Sequence, residues 1–258
     1  MFADPSCRAL ILSTLAGLAT LLGAAVIFFT KGKNEKLLAV SLGFAAGIML
    51  SVSFTDLFPN AEILLRHVAG EKMSVVFSVL FLILGLMIAG LIDVFVPHDA
   101  YDTKTGEQPH QNLFSVGVVS TVAIGLHNFP EGIATFMAGY RDLSLGISIA
   151  LAISLHNIPE GIAVAMPVYY ATGSRKRAVK YTFLSGIAEP VGALATFLIL
   201  RPFINDFVLG AVFAAVAGIM IYITIEELIP SSRQYGYDRS ALVATFAGIC
   251  LMPLTHVV

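Results

Sequence analysis

Apolar residues in this chain come in long, continuous runs separated by short polar turns. Crossing about 30 Å of hydrocarbon takes roughly 20 residues of helix, and on that length the runs predict helices over about 8–30, 35–58, 74–96, 113–138, 143–171, 177–200, 206–229 and 239–258. The expected fold is therefore an all-α integral membrane protein with eight transmembrane helices in a single polytopic domain, 1–258. A transmembrane barrel does not fit, because its strands would alternate apolar and polar positions over about ten residues. The first run is too long, and lacks the small-residue cleavage site, to be a removable signal peptide, so it is expected to stay in the chain.

Composition agrees: 57% of the 258 residues are hydrophobic, 12% are charged, and mean hydropathy is +0.85. A soluble chain carries about 25% charged residues. A cytosolic enzyme, a nucleic-acid binder and a secreted disulfide scaffold are all excluded, and 15 Lys and Arg against 17 Asp and Glu leave no basic face for a polyanion. Cys7 and Cys250 allow one bridge at most and read as inert thiols.

Lys and Arg are retained on the cytoplasmic side of a membrane. One set of loops holds ten of the fifteen (Lys31, Lys33, Lys36, Lys104, Arg175, Lys176, Arg177, Lys180, Arg233, Arg239), the other five (Arg8, Arg66, Lys72, Arg141, Arg201). Both termini are thus expected outside, in the periplasm, with the chain multi-pass in the cell inner membrane. The longest polar connector, about 97–112, is then cytoplasmic. Its His98 and His110 read as incidental residues of a solvated loop, with transient metal binding as the alternative.

Two self-similarities bear on mechanism. Gly125-Leu-His-Asn-Phe-Pro-Glu-Gly-Ile-Ala134 recurs 29 residues on as Ser154-Leu-His-Asn-Ile-Pro-Glu-Gly-Ile-Ala163, identical at eight of ten positions. Ala46-Gly-Ile-Met49 with Asp56-Leu-Phe-Pro59 recurs 171 residues on as Ala217-Gly-Ile-Met220 with Glu227-Leu-Ile-Pro230. Span two echoes span seven, as in a 3+2+3 arrangement with inverted-repeat character. Convergent Gly and Ala packing motifs are the other reading.

His127, Glu131, His156, Glu160 and Glu189 lie well inside apolar stretches. A charge near the bilayer centre costs at least about 2.5 kcal/mol on insertion scales, so such residues mark function by default. His127 and Glu131 are four apart and share a helical face, as do His156 and Glu160. Asn128 and Asn157 sit about 100° round from the histidines, so each Glu is flanked by His on one side and Asn on the other. Two adjacent cation positions can share the two glutamates. Imidazole and carboxylate suit zinc and other first-row divalent ions, while amide oxygens with more carboxylate lean toward iron or manganese. Pro130, Pro159 and Pro190 should free the carbonyls of Leu126, Leu155 and Gly186 and break the helices beside the ligands. Interhelical hydrogen bonding alone needs neither the duplication nor the metal-type spacing.

At these residues the sequence resembles the ZIP (Zrt/Irt-like) family of metal transporters, in its bacterial branch. The likeness covers nearly the whole chain: the eight-span plan, the paired His-Asn-x-Pro-Glu-Gly motifs, Ser185-Gly-Ile-Ala-Glu-Pro190, and Leu42-Gly-Phe-Ala-Ala-Gly-Ile-Met49. The resemblance implies a binuclear centre, one metal held by His127, Glu131, His156 and Glu160 and the other by Asn128, Glu131, Asn157, Glu160 and Glu189. It further implies uptake into the cytoplasm, selectivity spanning zinc, iron, manganese and cobalt, and spans one, four, five and six moving against the rest. Met49 is the thioether placed to match a span-two ligand of some relatives, although methionine more often simply packs. The metals are transported substrate rather than cofactor, and the expected partners are these ions, the lipid bilayer and a second copy in a homodimer.

Asp56, Glu226 and Glu227 at span ends read as solvated charges; His67 and His256 are too scattered to assign. An intramembrane metalloenzyme lacks support: no His-Glu-x-x-His is present, and Ala134 and Ala163 stand where the His of a di-iron Glu-x-x-His pair would fall. A proton-coupled carrier of a small organic solute is the alternative function; an anionic solute would need a basic residue near the midplane, and none of the fifteen lies there.

Overall fold

With no water to bond the backbone, an apolar run in lipid must satisfy its own N–H and C=O groups, and the runs fold accordingly as helices. A computed structural model describes residues 4–29, 34–94 and 113–254, and these form eight helical rods. They are α1 (Pro5–Phe28), α2 (Glu35–Ala69), α3 (Glu71–Asp93), α4 (Leu113–Arg141), α5 (Leu143–Thr172), α6 (Arg175–Phe203), α7 (Asp206–Arg233) and α8 (Asp238–Leu254). All but α4 and α8 are long and apolar enough over their described residues to cross a membrane. The 95–112 connector, with His98 and His110, and His256 lie outside the described residues.

Side-chain caps set the starts: Asp4 accepts from the N–H of Ser6, Asn34 from Leu37, Asp142 from Leu145, Ser174 from Arg177 and Asn205 from Val208. Gly70 and Gly173, at φ +79° and +64°, make the tight turns into α3 and α6. Cys7 and Cys250 are free thiols.

The apolar run puts the end of the second span near residue 58, yet the helix continues to Ala69 through Pro59. The turn before it, Ser53–Leu57, widens to a π-turn, and the N–H of Phe58 bonds the carbonyl of Ser53, five residues back. Widening carries the offending carbonyl away from the pyrrolidine ring. The device recurs at Thr196–Leu200 before Pro202 and at Thr224–Leu228 before Pro230. Each π-turn opens with a hydroxyl residue six positions before the proline, and that hydroxyl donates to the carbonyl four back: Ser53 to Met49, Thr196 to Gly192, Thr224 to Met220. Asp56 lies in the first of these turns and is buried, its carboxylate accepting from Thr55 Oγ1 at 2.6 Å, so it is not the solvated helix-end charge expected.

The rods pack in two groups of four. In one, α1 lies on α5 and α6, and α4 on α5 and α6; in the other, α8 lies on α2 and α3 on α7, with α2 against α7. The groups meet mainly where α2 faces α5 and α4 faces α7. The closest approaches repeat in register. A Cβ at Gly132 of α4 would strike the carbonyl oxygen of Glu189 in α6, and one at Gly161 of α5 that of Thr20 in α1. The same correspondence, 29 positions between α4 and α5 and 169 between α1 and α6, relates Gly192 over Phe129 to Gly23 over Ile158, and puts Gly17 and Gly186 against each other. In the second group, Gly47 lies over Thr245 and Gly218 over Leu82, 171 and 163 positions apart.

Gly132→Ala and Gly161→Ala should therefore cost similar amounts, about 1–3 kcal/mol each, from overpacking backbone against backbone. Gly90→Ala should cost less, since its Cβ would meet only the Tyr222 ring at 3.3 Å. Thermal midpoints of the three purified variants in detergent check the ranking.

Candidate metal centre

The duplicated motif falls on the adjacent rods α4 and α5, and Glu189 on α6 beside them. Asn128, Glu131, His156, Asn157, Glu160 and Glu189 are all fully buried. His127 belongs to α4, but its side chain lies outside the described residues. His156 Nε2 is 3.1 Å from Glu131 Oε1, so the first imidazole–carboxylate contact runs between helices rather than along one. Asn157 Nδ2 donates both to Glu189 Oε2 and to the backbone carbonyl of Ala16, each at 2.9 Å. Asn128 Nδ2 donates to the carbonyl of Ser185 at 3.2 Å.

Those commitments settle which end of each amide points where: the N–H₂ groups are spent on backbone carbonyls, and the oxygens are left for something else. Asn128 Oδ1, Asn157 Oδ1, Glu131 Oε2 and Glu189 Oε1 are buried with no hydrogen-bond partner among the described residues. Buried acceptors of this kind are normally satisfied, and oxygens left over in this way could serve a cation as ligands. Among the described residues no three His, Cys, Asp or Glu side chains converge as a coordination shell. The donors are instead paired with one another at hydrogen-bond distances of about 3 Å, against the roughly 2.0–2.2 Å at which zinc holds nitrogen and oxygen.

The backbone around the motifs differs from expectation in one respect. Both α4 and α5 run unbroken through Pro130 and Pro159, whereas α6 is interrupted at Ile187, just ahead of Pro190. A single proline removes one rung of the ladder, and the long flanking turns of α4 and α5 keep the rest. In α6 the close crossing of Gly17 on Gly186 coincides with the interruption. The carbonyl anchors at Ala16 and Ser185 had no signal in the sequence, because any residue type supplies a carbonyl.

The remaining expected residues are dispersed. Met49 is fully buried in the apolar core, as is Met220. Glu226 is exposed. Glu227 lines a cavity, open to its surroundings, between α2, α4, α5 and α7, together with Leu38, Leu42, Ile124, Ala163 and Pro167. His67 Nδ1 stands 3.7 Å from Asp206, which pairs with Arg141 at 2.7 Å.

The ZIP Zinc transporter family model matches residues 97–255. The chain is similar to proteins named zinc transporter ZupT: 43% identical to that of Streptococcus mutans over 96% of both chains, 44% to that of Oceanobacillus iheyensis over 98% of both, and 45% to that of Chlorobium luteolum over 96% of both. Likeness of this extent, with oxygen donors gathered where two helices repeat His-Asn-x-Pro-Glu-Gly, makes the chain a member of the ZIP family and a multi-pass membrane protein.

Proposed function

We propose that the protein carries divalent metal cations, zinc foremost with iron, manganese and cobalt, into the cytoplasm through a binuclear centre. One ion is held by His127, Glu131, His156 and Glu160, the other by Asn128, Glu131, Asn157, Glu160 and Glu189. The observation that carries this reading is the set of buried, unsatisfied oxygens on α4, α5 and α6, in a molecule where no Lys or Arg is buried among the described residues. Neither an anion nor a permanent internal counter-charge fits that surrounding; a passing dication does. The relatives' printed name, zinc transporter, supports the choice of cargo.

All eight rods cross the membrane in this reading, with both termini outside the cell inner membrane. The register of glycine–carbonyl contacts supports a 3+2+3 arrangement with inverted repeats, α1–α3 answering α6–α8 about a central pair α4 and α5. By the loop charges, the Glu227 cavity opens on the cytoplasmic side, below the centre. The half-exposed apolar face of α3, including Val76, Leu80, Ile83 and Met87, meets lipid or the second copy of a homodimer.

An ion entering this site sheds water as carboxylate, amide and imidazole donors replace its shell. Three carboxylates offset only three of the four positive charges of two dications. Arrival at one position therefore weakens hold at the other, which lets the site bind and still release. Both histidines must be neutral and the glutamates ionised, so binding releases protons and affinity falls as pH falls.

Radiolabelled zinc uptake by proteoliposomes should drop at least about tenfold in Glu131→Ala and in Glu160→Ala; full uptake in both would remove the pathway. Asn128→Ala or Asn157→Ala should lower iron or manganese transport more than zinc, read by competition, and equal losses for all ions would refute the assignment of the amides. Zinc affinity of the purified protein, followed from pH 7.5 to 5.5, should weaken steadily with release of protons to the buffer; a flat profile would count against imidazole and carboxylate ligation.

A further inference from the structure

The registered contacts pair positions of α1 with positions of α6. Gly17 answers Gly186, Gly23 answers Gly192, and Ala16 answers Ser185, whose carbonyls anchor Asn157 and Asn128 respectively. At the same spacing of 169 positions, the counterpart of Glu189 is Thr20. Their carbonyl oxygens occupy matching places, Glu189 over Gly132 and Thr20 over Gly161. Thr20 is fully buried and its hydroxyl turns back to the carbonyl of Gly17 at 2.7 Å.

The hydrogen bonds show what the exchange of Glu for Thr removes. Asn157 Nδ2 donates twice, to Ala16 and to Glu189, while Asn128 Nδ2 donates once among the described residues, to Ser185. The missing second bond is the mirror of Asn157 to Glu189, the one a carboxylate at position 20 would accept. Position 20 thus faces the Asn128 side of the centre as Glu189 faces the Asn157 side.

We propose that Thr20 is an affinity-setting position for the cargo: the uncharged mirror of Glu189, which holds the centre at three carboxylates and keeps the charge on one side of an otherwise two-fold arrangement. The inference rests on the metal-transport reading above. Its mechanism is charge count, because sites of the same geometry bind divalent ions over decades of affinity according to the number of carboxylates. With a fourth carboxylate the centre matches the four positive charges of two dications, and release slows. The symmetry also implies that the carboxylate is transferable from α6 to α1.

The experiment uses the full-length protein in proteoliposomes. Glu189→Thr should cut zinc uptake at least about tenfold, and Thr20→Glu with Glu189→Thr should restore it to within about threefold of wild type. Thr20→Glu alone should retain zinc at least about tenfold more tightly in detergent while transporting it more slowly, and Thr20→Ser should do neither. Loss in Glu189→Thr with no recovery in the double variant, when that variant is inserted and monodisperse, would overturn the proposal and leave the metal reading standing. Full uptake in Glu189→Thr would overturn the assignment of Glu189 and the proposal with it. Should the double variant fail to fold, a folded Thr20→Glu with unchanged zinc retention overturns the proposal by itself.

Discussion

Three carboxylates and two amides buried in one place, with no Lys or Arg buried among the described residues, constrain everything around them. Each charge at such depth costs at least about 2.5 kcal/mol unless something offsets it. The chain offsets part of that cost locally. One oxygen of Glu131 meets His156, one oxygen of Glu189 meets Asn157, and both amide N–H₂ groups are tied to carbonyls of neighbouring helices. Asn128 Oδ1, Asn157 Oδ1, Glu131 Oε2 and Glu189 Oε1 are left open, and the proposed function turns on that incompleteness. A site whose acceptors were all satisfied by the protein would have nothing to offer an ion, and one with a buried lysine would repel it.

The repeated register of glycine contacts accords with candidate donors that come in pairs where α4 meets α5. In an inverted repeat, duplicated motifs would pair by position, His127 with His156 and Glu131 with Glu160, without separate evolution of two sites. Symmetry alone would give an even number of carboxylates. Glu189 opposite Thr20 is the departure that makes the number odd, and functional sites are where such departures from local consistency are expected.

Much of this was legible beforehand, for reasons that differ by feature. Hydropathy marks lipid-spanning runs because the bilayer imposes one length on all of them, so the rods other than α2 appear within a few residues of their expected bounds. The duplicated motif is visible because holding an ion, the proposed role, takes particular side chains at fixed spacing. The continuation of α2 past Pro59 to Ala69 was hidden, since proline ordinarily stops a helix and the remedy is a hydroxyl six residues earlier. With Ser53, Thr196 and Thr224 in view, that spacing becomes a readable signal. The burial of Asp56 follows from the same turn. The anchors of Asn128 and Asn157 stayed invisible because they are backbone groups on helices distant in sequence, and α1 and α6 share little beyond small residues at their crossing.

Where backbone approaches backbone also says which parts can move. Among the described residues, every helical glycine whose Cβ would find a neighbour within 4 Å finds it on a helix of its own group of four, as Gly23 does on α5, Gly132 on α6, Gly47 on α8 and Gly218 on α3. Interlocked backbones cannot slide without lifting apart, because interiors this dense tolerate no half-filled positions. Between the groups the contacts are of another kind: the cavity beside Glu227, apolar side chains of α2 against α5, and the Arg141–Asp206 pair, with half of the arginine side chain exposed. An exposed ion pair contributes about 0–1 kcal/mol. The cleavage plane between α1, α4, α5, α6 and α2, α3, α7, α8 is therefore the mechanically soft one. All six described residues of the proposed centre, on α4, α5 and α6, lie on one side of it, so a shift along that plane would carry the site as a unit and leave its geometry intact.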